Sequence, residues 1–295
     1  MRLDGRRQSG NVEDRRGASS GFSFGGGKGK VAGFGGIAAL AIAAIITWIS
    51  GGNPLDVLSG SQGTLLGDSS AQTYTPTANE EELVTFTKQI LAGTEDVWTE
   101  EFRKMGLTYE PPKLVMFTGS VNSGCGGATA STGPFYCSAD QTVYIDLSFF
   151  EQMEKQMGAG GDFAYAYVIA HEVGHHVQYL LGTLDEAHSQ MARLPEAQAN
   201  QVSVRIELQA DCYAGIWAYN DNKMFGSLEE GDIEEGLNAA SKIGDDYLQK
   251  QAQGYAVPES FNHGRSEQRV KWLRRGATTG SLSQADTFSP PYSAL

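Results

Sequence analysis

The chain has 295 residues, 40% of them hydrophobic, and a formal net charge of −13. That is enough for one large domain with a buried core, plus an anchor and a linker. The charge is split unevenly, +4 over residues 1–50 and −17 over residues 51–295. So acidic a body argues against nucleic acid as a partner, and no run of Lys/Arg after Lys30 offers a patch to override it.

Residues 1–30 are Gly-, Ser- and Arg-rich without apolar periodicity and are expected to form a disordered basic tail. Val31 to Ile49 carries no charge, so residues 31–50 are expected to form one N-terminal transmembrane helix. A buried soluble helix and a cleaved signal peptide are the weaker readings, the latter because the charged region is too long and no small-x-small site follows. Basic residues before the segment and acidic ones after it put the N-terminus in the cytoplasm and the rest outside, as a single-pass protein of a bacterial cell membrane. Residues 51–78, rich in Gly, Ser, Thr and Pro, read as a linker, which leaves residues 79–295 as the folded domain.

Within that domain, Asn79 reads as the N-cap of an amphipathic helix running to about Met105. Pro111-Pro112 precedes a short strand over Lys113–Thr118, and Thr142–Leu147 alternates as a second strand. If that second strand lies at a sheet edge, it is a place for an extended substrate to pair. Between the strands, Cys125 and Cys137 bracket a Gly/Ser/Thr loop of a length that a disulfide can close. Cys212 sits in an apolar helical pattern as a small buried hydrophobe. Helices follow near 148–157, 162–181, 195–220, 228–250 and 264–275. The expected fold is α+β, mostly helical with a small sheet.

Chemistry concentrates in His171-Glu172-Val173-Gly174-His175, an HExxH motif inside an apolar helical stretch. Residues i and i+4 share a helix face, so both imidazoles can reach one metal ion, and Glu172 stands beside its open position as a general base. A catalytic zinc wants a third protein ligand. Glu207, in a second helical stretch, completes a His₂Glu set. Asp211, one turn further on, can accept the N–H of a ligating imidazole. His176, His188, Asp185 and Glu186 are weaker competitors. His263 opens the last helix and has two readings, an oxyanion donor beside the metal or a helix-end histidine.

The HEVGHHVQ and ELQADCYAG helices, the segment from Gly124 to Phe150 and the HGRSEQR run together resemble the bacterial neutral zinc metallopeptidase family. The resemblance covers roughly residues 70–290, together with the basic tail and its hydrophobic segment. It implies a zincin-like, gluzincin-type domain with Glu207 as third ligand and Asp211 orienting a ligand. The His–x₅–Arg spacing of His263 and Arg269 also resembles the C-terminal segment of membrane prenyl-protease-like metallopeptidases, which implies that both lie beside the substrate carbonyl. One Zn²⁺ per chain and a peptide or protein substrate are expected, with membrane contact through residues 31–50. Two rivals remain: a zinc-stabilised binding module without turnover, and a metallohydrolase of a non-peptide bond.

Overall fold

A computed structural model describes residues 1–17 and 74–295. The first long helix, α1 (Ala78–Lys104), starts where Thr77 and Glu80 cap one another reciprocally, two residues before the Asn79 expected to do so. Its buried stripe carries Ile90, Leu91, Val97, Trp98 and Phe102 into the core.

Four strands form the main sheet: β1 (Val12–Asp14), β2 (Lys113–Phe117), β5 (Phe135–Cys137) and β6 (Thr142–Asp146). Their order is β1-β2-β6-β5. β1, β2 and β6 run parallel, while β5 pairs antiparallel with β6. β6 is therefore internal, flanked on both sides, and cannot be the edge that pairs with a substrate; the short β5 is an edge instead. A hairpin of β3 (Ser120–Ser123) and β4 (Gly126–Thr129) fills what the sequence presented as a loop. The expected Cys125–Cys137 disulfide is formed and ties this hairpin to β5.

Residues 1–17 are not the disordered tail expected from their composition. β1 lies in register with β2, and the pairing is extended by Leu114 N–H to the Asn11 carbonyl (2.9 Å) and Arg15 N–H to the Met116 carbonyl (2.8 Å). Arg6 meets buried Asp221 through two hydrogen bonds. The segment reads as solvated because its partners lie far along the chain. Among the described residues no helix is long and apolar enough to cross a membrane. The transmembrane helix expected over residues 31–50 lies outside them.

After β6 come α2 (Ser148–Met157), α3 (Asp162–Leu180), α4 (Thr183–Met191), α5 (Glu196–Phe225), α6 (Asp232–Lys242), α7 (Asp245–Gln253) and α8 (Ser266–Thr279). The helix expected over 228–250 is two helices. Gly244 separates them in extended backbone (φ −71°, ψ 143°), and a Cβ there would run into the backbone of Ser266. α4 was not anticipated; Gly182, in the left-handed region at φ 78°, breaks it from α3.

α5 is the central pillar. It crosses α3 where Gly174 meets Ala210, since a Cβ on Gly174 would fall 3.1 Å from the Ala210 carbonyl oxygen. It crosses α8 closer still: a Cβ on Gly276 would collide with the Cys212 carbonyl, and one on Gly215 with that of Leu273. These two crossings hold three functional helices in a fixed relation. Trp98, Trp217, Trp272, Phe150 and Phe163 fill the core around them, and Cys212 is buried as expected.

Candidate metal centre

His171 and His175 lie on α3 and Glu207 on α5, brought face to face by the Gly174–Ala210 contact. His171 Nε2 stands 3.2 Å from Glu207 Oε2, and His175 Nε2 stands 3.6 Å from Oε1. Three ligand atoms, one from each residue, lie within 4.8 Å of one another. Zinc–nitrogen and zinc–oxygen bonds of about 2.0–2.2 Å at tetrahedral angles separate ligand atoms by roughly 3.4 Å. Zinc fits the set.

The hydrogen bonds behind the imidazoles support the same assignment. His171 Nδ1 donates to Asp211 Oδ1 at 2.9 Å. His175 Nδ1 donates to Gln178 Oε1 at 2.9 Å. Gln178 is fixed in that orientation because its amide nitrogen donates to the Ile206 carbonyl and to Gln209 Oε1. With each Nδ1 engaged from behind, each Nε2 is the nitrogen turned to Glu207, and a metal taking it would displace any proton it carries.

Electrostatics favour a cation here. Burial pushes the Glu207 carboxyl up, but His175, His171 and His263 together hold it well below the usual range. Burial lowers the basicity of His171, yet Asp211 and Glu207 outweigh it and raise its pKa to about 10. Glu172, one residue past a ligand and 8% exposed, is nearly enclosed.

Asp211 is fully buried and collects four donors. Besides His171, Tyr167 Oη–H donates at 2.6 Å, and Arg269 donates through Nε to Oδ2 and Nη2 to Oδ1, each at 2.9 Å. Burial raises the Asp211 carboxyl, but Arg269 and His171 bring it below its ordinary value. Arg269, expected beside a substrate carbonyl, commits its Nε and Nη2 donors to Asp211. Its guanidinium lies behind the metal ligand, with a further bond from Nη2 to Tyr167 Oη at 3.2 Å. The close α5–α8 crossing is what brings it there.

His263 is buried, and its Nδ1 donates to Asp245 Oδ1 at 3.1 Å. Asp245 Oδ2 accepts the backbone N–H groups of Asn262, His263 and Gly264 at 2.7–2.9 Å. Burial lowers the basicity of His263, but Asp245 and Glu207 raise it overall, so its ring shares an electrostatic environment with the ligand set. His176, the nearest competing ligand in sequence, is committed elsewhere: Tyr136 Oη–H donates to Nδ1, and Nε2 donates to the Glu110 carbonyl. Among the described residues, His188, Asp185 and Glu186 do not join the metal-ligand group.

Tyr167, Gln178 and Asp245 escaped the sequence reading. The first two sit four residues before and three after a ligand, so the HExxH helix itself carried their signal. Asp245 carried none, being 18 residues from the histidine it holds.

A family model for "Putative neutral zinc metallopeptidase" matches residues 1–288. YpfJ of Escherichia coli (strain K12) is 49% identical over 292 residues, which is 98% of this chain and 99% of that protein. Rv2575 of Mycobacterium tuberculosis (strain H37Rv) is 44% identical over 192 residues, 61% of this chain and 64% of that protein. No solved structure matches. With a family match over nearly its whole length and a relative at 49% identity, the chain belongs to this zinc metallopeptidase family.

Proposed function

We propose that the protein hydrolyses peptide bonds as a zinc endopeptidase with one metal ion per chain. The observation that carries this reading is the convergence of two imidazole Nε2 atoms and the Glu207 carboxylate, with both Nδ1 atoms engaged from behind. When bound, zinc supplies Lewis acidity to a water molecule and to the scissile carbonyl. The protein's own groups do the rest. Glu172 takes the proton of the attacking water and passes it to the departing amine nitrogen. His263, held by Asp245 through Nδ1, presents Nε2–H to the carbonyl oxygen as negative charge develops on it. Asp211, clamped by Arg269 and Tyr167, keeps His171 in the ligating tautomer.

The substrate is a peptide or protein in extended form, for which the edge strand β5 is the candidate pairing site. The Cys125–Cys137 disulfide supports an oxidising, extracytoplasmic compartment for the catalytic domain.

Glu172→Gln tests the chemistry. The variant keeps zinc at wild-type stoichiometry and loses peptide hydrolysis by at least about 10²-fold. A wild-type protein that holds zinc yet cleaves nothing in a peptide library would favour a binding module. Esters or amides cleaved in place of peptides would favour the non-peptide hydrolase.

A further inference from the structure

The basic residues that suggested a cytoplasmic tail have a different use in the structure. Arg2 pairs with Glu229 at 3.2 Å, and Arg6 with Asp221 at 2.8 Å. Arg7 pairs with Glu95 and Asp96 at 2.8 and 2.6 Å. Arg16 reaches Glu81 at 2.8 Å, with its side chain only 3% exposed. The domain is shaped for this docking. Gly93 on α1 lies under the Arg6–Asp221 pair, and a Cβ there would stand 2.7 Å from Asp221 Oδ1 and 3.0 Å from Arg6 Nη2. Ser9 and Asn11 donate to Glu95 Oε1 from beside β1. Without residues 1–17, Asp221 (1% exposed) would lose its guanidinium and Glu95 (7% exposed) three donors. Leaving buried carboxylates bare is costly.

The two ends of the intervening segment also meet. A Cβ on Gly17 would fall inside the Tyr74 side chain, and the Arg16 guanidinium lies 6.0 Å from the Tyr74 ring centre. A chain that leaves and returns at one point of a folded body crosses a bilayer an even number of times. Each crossing helix needs about 20 apolar residues. Residues 18–73 contain one charge-free apolar run of that kind, Val31–Ile49. Two crossings would need twice as much.

We infer that residues 1–17 are an integral strand of the catalytic body and lie on the same side of any membrane as residues 74–295, which excludes a single crossing between them. Of the positive charges that would otherwise set orientation, Arg2, Arg6, Arg7 and Arg16 bind the domain's own acids. This inference does not depend on the peptidase chemistry.

Two measurements on the full chain in bacterial cells test it. Cys212 is buried and the other two cysteines are bonded, so a single added thiol can be followed. Asp4→Cys and Gln156→Cys place one in each exposed part. A membrane-impermeant maleimide is expected to treat both alike, labelling both in intact cells or both only after permeabilisation. One labelled in intact cells and the other only after permeabilisation overturns the inference. Arg2→Cys with Glu229→Cys, an exposed pair 3.2 Å apart that leaves the buried Arg6–Asp221 contact intact, is expected to cross-link within one chain with a short bismaleimide. Failure of that link while both thiols react singly also overturns it, because it removes the docked strand.

Discussion

Replacing Arg269 by Ala separates its observed place from the one its sequence spacing implied. The substitution removes both 2.9 Å bonds to Asp211 and the contact with Tyr167, and leaves a fully buried carboxylate with His171 and Tyr167 as its remaining donors. Breaking one side of a buried ion pair costs about 3–5 kcal/mol. In a domain of this size that lowers Tm by on the order of 10 °C. Asp211 also orients a zinc ligand, so zinc affinity falls by roughly 10–100-fold. Arg269→Lys recovers only part of both, because an ammonium cannot reproduce the two-point contact. Differential scanning calorimetry and competition with a chromophoric zinc chelator read the two effects. Unchanged Tm and zinc affinity with a loss confined to kcat/KM would refute the placement and return Arg269 to the substrate.

Gly276→Ala puts a Cβ 2.8 Å from the Ile216 nitrogen and against the Cys212 carbonyl; thermal unfolding is expected to show a loss of about 1–3 kcal/mol, and an unchanged Tm would mean the helices are not in that contact. Asp245→Asn weakens the hold on His263 Nδ1 and should lower kcat/KM while zinc content stays at wild type; loss of zinc would instead tie Asp245 to the metal site. His176 is pushed down to about 4 by burial, against the opposing pull of its bond to the Glu110 carbonyl. Its folded pKa lies below the unfolded value of about 6.5, so the unfolded chain takes up the proton first as pH falls. The stability from neutral His176 is full above about 6.5 and lost towards 4, by roughly 3 kcal/mol. Urea unfolding of zinc-free protein between pH 7 and 4.5 should show this slope, and His176→Gln should flatten it.

What was legible in the sequence was local. HExxH and the Glu207–Asp211 spacing are each patterns of one helical turn, and α3 and α5 present them as that period requires. The strands at β2 and β6 and the helix at α2 also announced themselves by alternation or periodicity. What stayed hidden depends on partners far apart in the chain. Arg6 and Arg7 look like a solvated basic tail until Asp221 and Glu95 are placed opposite them. Arg269 could be read near the site, but not which side of the ligand it serves, because that follows from the two glycines at the α5–α8 crossing. β5, three residues inside a Gly/Ser/Thr loop, is too short to show a period, so β6 was the strand for which an edge position could be considered.

Every proposed role at the site depends on Glu207 as the third ligand, and zinc stoichiometry by elemental analysis tests that most directly. The full chain should carry one zinc, lose it in Glu207→Ala and keep it in Glu172→Gln. A wild-type protein without zinc, or full retention in Glu207→Ala, would contradict the site as described.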